Sequence, residues 1–374
     1  MKWFGRRAGR DDARPTLSRQ GFAMRSGEWP QNYDTQLRDA YLANPVAQRA
    51  VKLIAEGVGG APLKGSDLEL VRLVRARSAG QVLVETAAAQ LLLHGNAYVQ
   101  ILTGSDGAVS ELIALRPERV KVEPDARGWP GAYSYTVGGS TMKLVAEDEG
   151  GRPGVVHLKA FHPLDDHYGL GCLGAAAPSV AIHNAAAKWN KALLDNAARP
   201  SGALIHDPGD GSVLAADQIE RLRGELEAGF AGAANAGRPM LLEGGIKWQS
   251  MSLTPADMDF VGLKAAAARE IALAFGVPPM LMGLPADNSY ANYREANRAL
   301  WRLAILPLAD KILSGLAQGL RGWFPEGTLA VDVDRVTALA EDRERLWAQV
   351  AGADFLTPEE KRAMVGIGVE EDAQ

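Results

Sequence analysis

A chain of 374 residues is too long for one ordinary hydrophobic core and is expected to split into two or three units. Its 47% hydrophobic and 23% charged content is that of a folded globular protein. A formal net charge of −5 excludes tight nonspecific gripping of duplex DNA, which takes a strongly basic surface, but leaves open a surface that DNA slides past.

Residues 1–29 are charged and aperiodic and read as a flexible arm. The basic stretch from Lys2 to Arg14 lacks the apolar run of a signal peptide. The first helix is expected from Asn44-Pro45, with Asn as N-cap and Pro in the first turn, through Val51, Leu53 and Ile54 to about Gly57. A second apolar helix spans about 80–93 and ends at His94-Gly95. The period then shortens. Segments 97–103, 110–115, 119–123, 132–137, 141–146 and 155–161 read as strands punctuated by Asp106-Gly107, Gly128 with Pro130, Gly138-Gly139 and Gly150-Gly151. Residues 30–170 therefore predict an α+β unit.

Beyond Gly174 the pattern is helical again. Residues 175–198 predict an Ala-rich helix about 36 Å long at 1.5 Å per residue. Arg199-Pro200-Ser201-Gly202 breaks it. A strand at 203–206, a helix at about 214–230 and two strands around Gly244-Gly245 follow. The next helix opens with Thr254 as N-cap, Pro255 at the first position and Asp257 at the third, and ends at Gly276 ahead of Pro278-Pro279. A loop covers 277–292, then a long helix at about 293–319 that Pro307 should kink. A strand at 328–333 and two helices close the chain, the last capped by Thr357-Pro358-Glu359-Glu360. Two Ala-rich helices thus flank a small αβ insertion, a stalk with a head. Aromatics make up only 6% of the chain, and neither helix has enough large apolar side chains to bury itself alone, so lateral packing in a ring is expected.

The chemistry-bearing patterns are weak. Gly169-Leu-Gly171-Cys-Leu-Gly174 matches the dinucleotide fingerprint G-x-G-x-x-G, which would make the chain an NAD-dependent Rossmann-type enzyme. The context is wrong: the fingerprint should follow a strand directly, and Asp195, the acid about 20 positions on, falls inside a helix. A flexible turn leading into a helix is the better reading. His157, His162, Asp165, Asp166 and His167 contain no pair at the helical spacing of a zinc site. Cys172, the one cysteine, rules out an intrachain disulfide, suits a reducing compartment and reads as a small buried residue. No G-x-x-x-x-G-K-[ST] and no G-x-S-x-G occurs. No catalytic residue, cofactor or metal is expected, and no apolar run of about 18 residues predicts a membrane helix.

Several stretches, in order, resemble the portal proteins of long-tailed bacteriophages. They are Asn44-Pro45-Val46 through Ile54-Ala55-Glu56, Leu91-Leu92-Leu93-His94-Gly95-Asn96-Ala97-Tyr98-Val99, Leu115-Arg116-Pro117, Val155-Val156-His157-Leu158, Gly169-Leu170-Gly171 and Asn196 through Gly202. The most specific is Phe275-Gly276-Val277-Pro278-Pro279, followed by Tyr290-Ala291-Asn292 and a long helix with Leu306-Pro307. Gly366, after the Thr357–Arg362 segment, resembles the family's C-terminal signature, whereas Cys172-Leu173 stands where the family often carries Ser-Pro. The resemblance implies an α+β portal-type subunit: a wing at 30–174 and 293–333, a stem of helices 175–198 and 256–276, a clip at 199–255, a tunnel loop at 277–292 and a short helical crown at 334–374. It implies a closed ring, a dodecamer in the particle, made in the bacterial cytoplasm and placed at one capsid vertex of a phage or gene transfer agent. Its partners would be the major capsid protein, the terminase large subunit, the head-tail adaptor protein and double-stranded DNA passing without sequence specificity. Asp287, Asn288, Ser289, Tyr290 and Asn292 become candidates for the channel lining, or for packing on a neighbouring subunit. Phe230 and Trp248 become candidates for docking at the clip, or for its core. An unrelated ring-forming scaffold protein is the remaining alternative.

Overall fold

The computed structural model describes residues 15–17, 33–78, 80–195, 202–206, 209, 213–230, 246–250, 260–284 and 290–366. The chain divides into two compact units, 1–177 with 272–374, and 178–271.

The first unit begins with a short helix, Tyr33–Leu37, that runs into a π turn, Arg38–Leu42. Helix Pro45–Gly59 starts as its sequence dictates: the Asn44 side chain accepts from the N–H groups of Val46 and Ala47, each at 3.0 Å. Its buried residues, Ala47, Ala50, Val51, Ile54, Ala55 and Val58, recur at helical spacing along one face. Strand β1, Leu63–Gly65, pairs antiparallel with the late strand Leu329–Val331. Two elements absent from the sequence reading follow: helix Leu68–Arg75, capped by Asp67, and the hairpin of β2, Arg77–Ser78, with β3, Gln81–Val82. Helix Leu83–His94 packs on helix Pro45–Gly59 and ends where Gly95 adopts φ 79°, a left-handed conformation that glycine accepts without strain.

Six strands then form two antiparallel sheets. Strands β4 (Asn96–Thr103), β5 (Val109–Leu115) and β9 (Val155–Lys159) lie in the order β5-β4-β9, and β6 (Val120–Pro124), β7 (Pro130–Val137) and β8 (Ser140–Val145) in sequence order. Alternation gives β4 two faces. Tyr98 joins Leu115, Val155, Val120, Val122 and Tyr133 in a cluster between the sheets. Ala97 and Val99 sit opposite Leu158 and Val156, whose side chains lie under Gly315 and Gly319 of helix Leu306–Gly319. Strand β4 is therefore covered on both sides, which accounts for its almost unbroken apolar sequence. Within the expected flexible arm, Pro15–Leu17 is ordered against the turn before β7: Leu17 N–H donates to Arg127 O at 2.9 Å and Trp129 Nε1–H to Pro15 O at 2.7 Å.

The glycine motif has a structural purpose. Asn96 is fully buried. Its Oδ1 accepts from Gly169 N–H at 2.7 Å and from His157 Nε2 at 3.0 Å. Its Nδ2 donates to the carbonyls of Gly169 and His94, both at 3.2 Å. A carbonyl only accepts and a backbone N–H only donates, so these partners orient the amide and place the His157 proton on Nε2. Cys172 N–H donates to Leu92 O and Ala160 N–H to Gly95 O, each at 2.8 Å. A Cβ on Gly169 would lie 2.1 Å from Gly95 O, and one on Gly171 2.6 Å from Leu93 O. The two glycines let the chain lie against the end of helix Leu83–His94. The preceding strand, β9, is antiparallel to β4, so no βαβ unit is present here to receive a dinucleotide. The His and Asp side chains of 157–167 are engaged otherwise: His157 stacks on Tyr98 at 4.2 Å, His162 Nδ1 accepts from Leu164 N–H, and Asp165 accepts from the N–H groups of His167 and Tyr168.

In the second unit, helix Leu173–Asp195 buries Ser179, Val180, His183 and Ala186, and helix Phe260–Ala274 buries Ala267, Ala268 and Ile271. Ser179 Oγ donates to Glu270 Oε2 at 2.5 Å, and Lys264 lies close enough to His183 to lower its pKa, after burial itself. Residue 179 facing 270 while 183 faces 264 makes the two helices antiparallel. Between them in sequence, strand Gly202–His206 pairs antiparallel with strand Ile246–Ser250, and helix Ala216–Phe230 intervenes. The expected first strand before Gly244-Gly245, and the helix start at Thr254, Pro255 and Asp257, lie outside the described residues.

Two predictions follow from the Asn96 junction. Gly169→Ala should destabilise the protein by roughly 2–3 kcal/mol, because the new methyl meets backbone that cannot rotate away. Gly174→Ala, where a Cβ meets nothing within 4 Å, should be neutral or slightly stabilising. Denaturant unfolding separates these; equal effects would contradict the packing role. Burial, and then Lys159, His94 and His167, hold the His157 pKa down at about 3. The unfolded chain, at about 6.5, binds the extra proton between these values, so stability should fall as pH drops from 6.5 toward 3, by up to about 1.4 kcal/mol per pH unit from this group. His157→Gln should flatten that slope; an unchanged slope would exclude the assignment.

Candidate functional site

The segment expected to be a loop, 277–292, is built in three parts. Its entry is a Schellman motif. Gly276 takes φ 71°, its N–H donates to Leu273 O, and Val277 N–H donates to Ala272 O, both at 2.9 Å. Phe275 and Val277 are buried on either side of that glycine, so the sequence Phe-Gly-Val anchors the end of helix Phe260–Ala274. Pro278 then sets φ at −58°, and Pro279–Met282 forms a 3-10 turn that packs against helices Pro45–Gly59 and Tyr290–Leu300. This corrects the sequence expectation of one open loop: its first third is a fixed anchor.

The third part is also different. Tyr290 and Asn292, expected in the loop, belong to the first turn of helix Tyr290–Leu300, and Asn292 is exposed. Asp287, Asn288 and Ser289 lie outside the described residues. The long helix is interrupted before Pro307, by a π turn at Trp301–Ile305 in which Leu306 N–H reaches back to Trp301 O. Proline lacks the N–H that would otherwise bond to Leu303, and the wider turn directly precedes this missing bond. Helix Leu306–Gly319 continues from there.

The candidate docking residues sit on two elements of the inserted module. Phe230 is the last residue of helix Ala216–Phe230, and Trp248 is the middle residue of strand Ile246–Ser250, in register with Leu204. On the same helix Ile219 is exposed, and Asp217 pairs with Arg221 one turn on. The structure adds a cluster that the sequence reading did not single out. Arg298 pairs with Glu341 at 2.6 Å, Glu295 at 3.1 Å and Asp342 at 3.4 Å, and Arg294 pairs with Glu341 at 2.5 Å. Its sequence signals are the i, i+4 spacing of the two arginines and the i, i+3 spacing of Glu295 and Arg298; Glu341 and Asp342 lie more than 40 residues on.

Among the described residues no three His, Cys, Asp or Glu side chains come together as a metal site, and no helix is long and apolar enough to cross a membrane. The arrangement offers anchored helix ends, a short connecting segment and an appended module.

Comparison with known proteins gives this arrangement a family. A subunit in the neck of a native gene transfer agent particle, computed with C12 symmetry, is 48% identical, with a TM-score of 0.71 over 91% of this chain and 94% of that one. An uncharacterized protein of Rickettsia bellii (strain RML369-C) is 42% identical over 88% of each chain. A probable portal protein of Streptomyces phage phiC31 is 26% identical over 80% of this chain and 67% of its own length. The phage portal protein profile matches residues 45–366. These matches lend the Rossmann reading no support, and they remove the unrelated scaffold: the chain belongs to the phage portal protein family.

Proposed function

We propose that the chain is the portal subunit of a phage-like particle of the gene transfer agent kind, a structural head-to-tail connector at the particle neck. The observation that carries this reading is the 48% identity to a gene transfer agent neck subunit across almost the full length of both chains. The twelvefold symmetry of that neck supports a homo-oligomeric ring of twelve. Two Ala-rich helices with Trp189 and Val261 exposed suit contacts that repeat from copy to copy and close.

In this reading the wing is 30–174 with 293–333, the stem is 175–198 and 256–276, the clip is 199–255 and the crown is 334–374. DNA passes the segment between the Schellman anchor and helix Tyr290–Leu300. Asp287, Asn288, Ser289, Tyr290 and Asn292 offer neutral hydrogen-bonding groups and one acid, with no Lys or Arg between 277 and 292. Duplex DNA carries about one negative charge per 1.7 Å of axis, so a ring of basic loops would hold it through counterion release, whereas a neutral or mildly acidic ring lets it slide. The inserted module meets the terminase large subunit during packaging and the head-tail adaptor afterwards, with Trp248 and Phe230 as contacts. The wing meets the major capsid protein. The subunit turns nothing over itself.

Asp287→Lys with Asn288→Lys should leave ring assembly intact and slow DNA release from particles, read as retained DNA after triggering; release at the normal rate would refute the channel assignment. Trp248→Ala should weaken adaptor capture about tenfold, roughly 1.4 kcal/mol, with rings still forming. A lowered melting temperature with undiminished capture would instead place Trp248 in the module's core.

A further inference from the structure

The two halves of the interrupted long helix are held by different forces. Beyond the π turn, Ala309, Ile312, Leu313, Leu316 and Ala317 are buried, and Ile305 ends the turn itself in the core. Helix Tyr290–Leu300 buries Leu300 alone among its described side chains, and its Tyr293 is 51% exposed. Apolar burial therefore fixes the second half, whereas the first buries little apolar surface of its own beyond its packing on the turn Pro279–Met282. Charge adds the hold that this packing leaves short. The Arg298 side chain is 11% exposed, and its guanidinium reaches Glu341 and Asp342 of helix Ala340–Ala351 while Glu295 closes on it from its own helix. Arg294 adds a second contact to Glu341. The turn Thr337–Leu339 packs on the same helix. Glu341 and Asp342 occupy the first turn of their helix, where the helix dipole favours carboxylates. The Arg298 Nε is buried without a hydrogen-bond partner among the described residues, a cost offset by its charged contacts. A planar guanidinium can serve several carboxylate oxygens at once, which a lysine ammonium does less well.

We infer that Arg298 is a positioning residue: it latches helix Tyr290–Leu300 to the C-terminal helix Ala340–Ala351, with the π turn Trp301–Ile305 as the joint between the latched and the buried halves. The latch fixes the position of helix Tyr290–Leu300 and couples it to the C-terminal helices. Its consequence for DNA rests on the channel reading of residues 285–292. Closing the latch holds the helix in one position. Opening it frees helix Tyr290–Leu300 to pivot at the π turn without disturbing the core beneath helix Leu306–Gly319.

Hydrogen exchange on assembled rings of the full chain tests this directly. In Arg298→Met, exchange across 292–300 should quicken about tenfold, equivalent to roughly 1.4 kcal/mol, while 308–319 stays as in the parent. Arg298→Lys should retain part of the protection. Adding Arg298→Met to Glu341→Gln should quicken exchange by less than the product of the two single effects, since both remove one shared contact. Raising salt from about 0.05 M to about 1 M should quicken exchange in 292–300 of the parent selectively, because Glu341 is partly exposed and its pairs are screened. Unchanged exchange in Arg298→Met, an equal rise across 308–319, or multiplying effects of the two substitutions would overturn the latch. If exchange quickens as expected but Arg298→Met particles release DNA normally, the latch stands and the channel assignment falls.

Discussion

One buried amide organises the larger unit. Asn96 ends the turn that follows helix Leu83–His94, opens strand β4 and, with all its hydrogen-bonding capacity turned inward, ties the backbone at Gly169 to β9 through His157. Three connections pass through this residue: a local one from helix to sheet and two long-range ones, β4 to β9 and the sheet to the segment that enters helix Leu173–Asp195. Asn96 and Gly169 are buried and His157 and His94 partly so, and an unmet polar group there would be costly, which is the condition under which a single polar side chain carries weight out of proportion to its size. The glycines at 95, 169 and 171 follow from it. They are required because three backbone segments approach within van der Waals contact around that amide.

How much of this could be read in advance depended on whether the signal was local. Strands β4 to β9 were legible because alternation and glycine-rich turns are short-range features, and their bounds shift by at most two residues. The Asn44-Pro45 and Thr357 caps were legible for the same reason: cap and capped N–H are within three residues. Helix Leu68–Arg75 was missed because eight residues give two turns of period, too few to distinguish from a loop. The glycine motif at 169–174 was recognised as misplaced, but its true partner, the end of a helix some 75 residues earlier, has no local trace. In the segment 277–292 the two prolines suggested irregularity, whereas Phe275 and Val277, apolar on both sides of Gly276, already carried the pattern of a Schellman anchor. The pairing of Arg298 with Glu341 is a tertiary fact that periodicity cannot express.

The electrostatics of the chain suit a passage better than a grip. A connector that bound DNA through many phosphates would stall it; this chain has a net charge of −5, and residues 277–292 contain no Lys or Arg. Charge is used for internal positioning: the arginines of helix Tyr290–Leu300 point to carboxylates of the same chain. In the second unit Ala186, Ala267 and Ala268 are buried, and the hydrogen bond from Ser179 to Glu270 aligns the two helices.

The central claim is that the segment between Gly283 and Tyr290 borders a channel in a closed ring of this chain. Electron cryomicroscopy of the neck in particles assembled from it measures this most directly, through the distance of each residue from the ring axis. The account predicts a closed ring in which residues 285–289 are nearest the axis, with helix Leu306–Gly319 farther out. A ring that places 285–289 on its outer perimeter, or particles whose neck holds no ring of this chain, would contradict it.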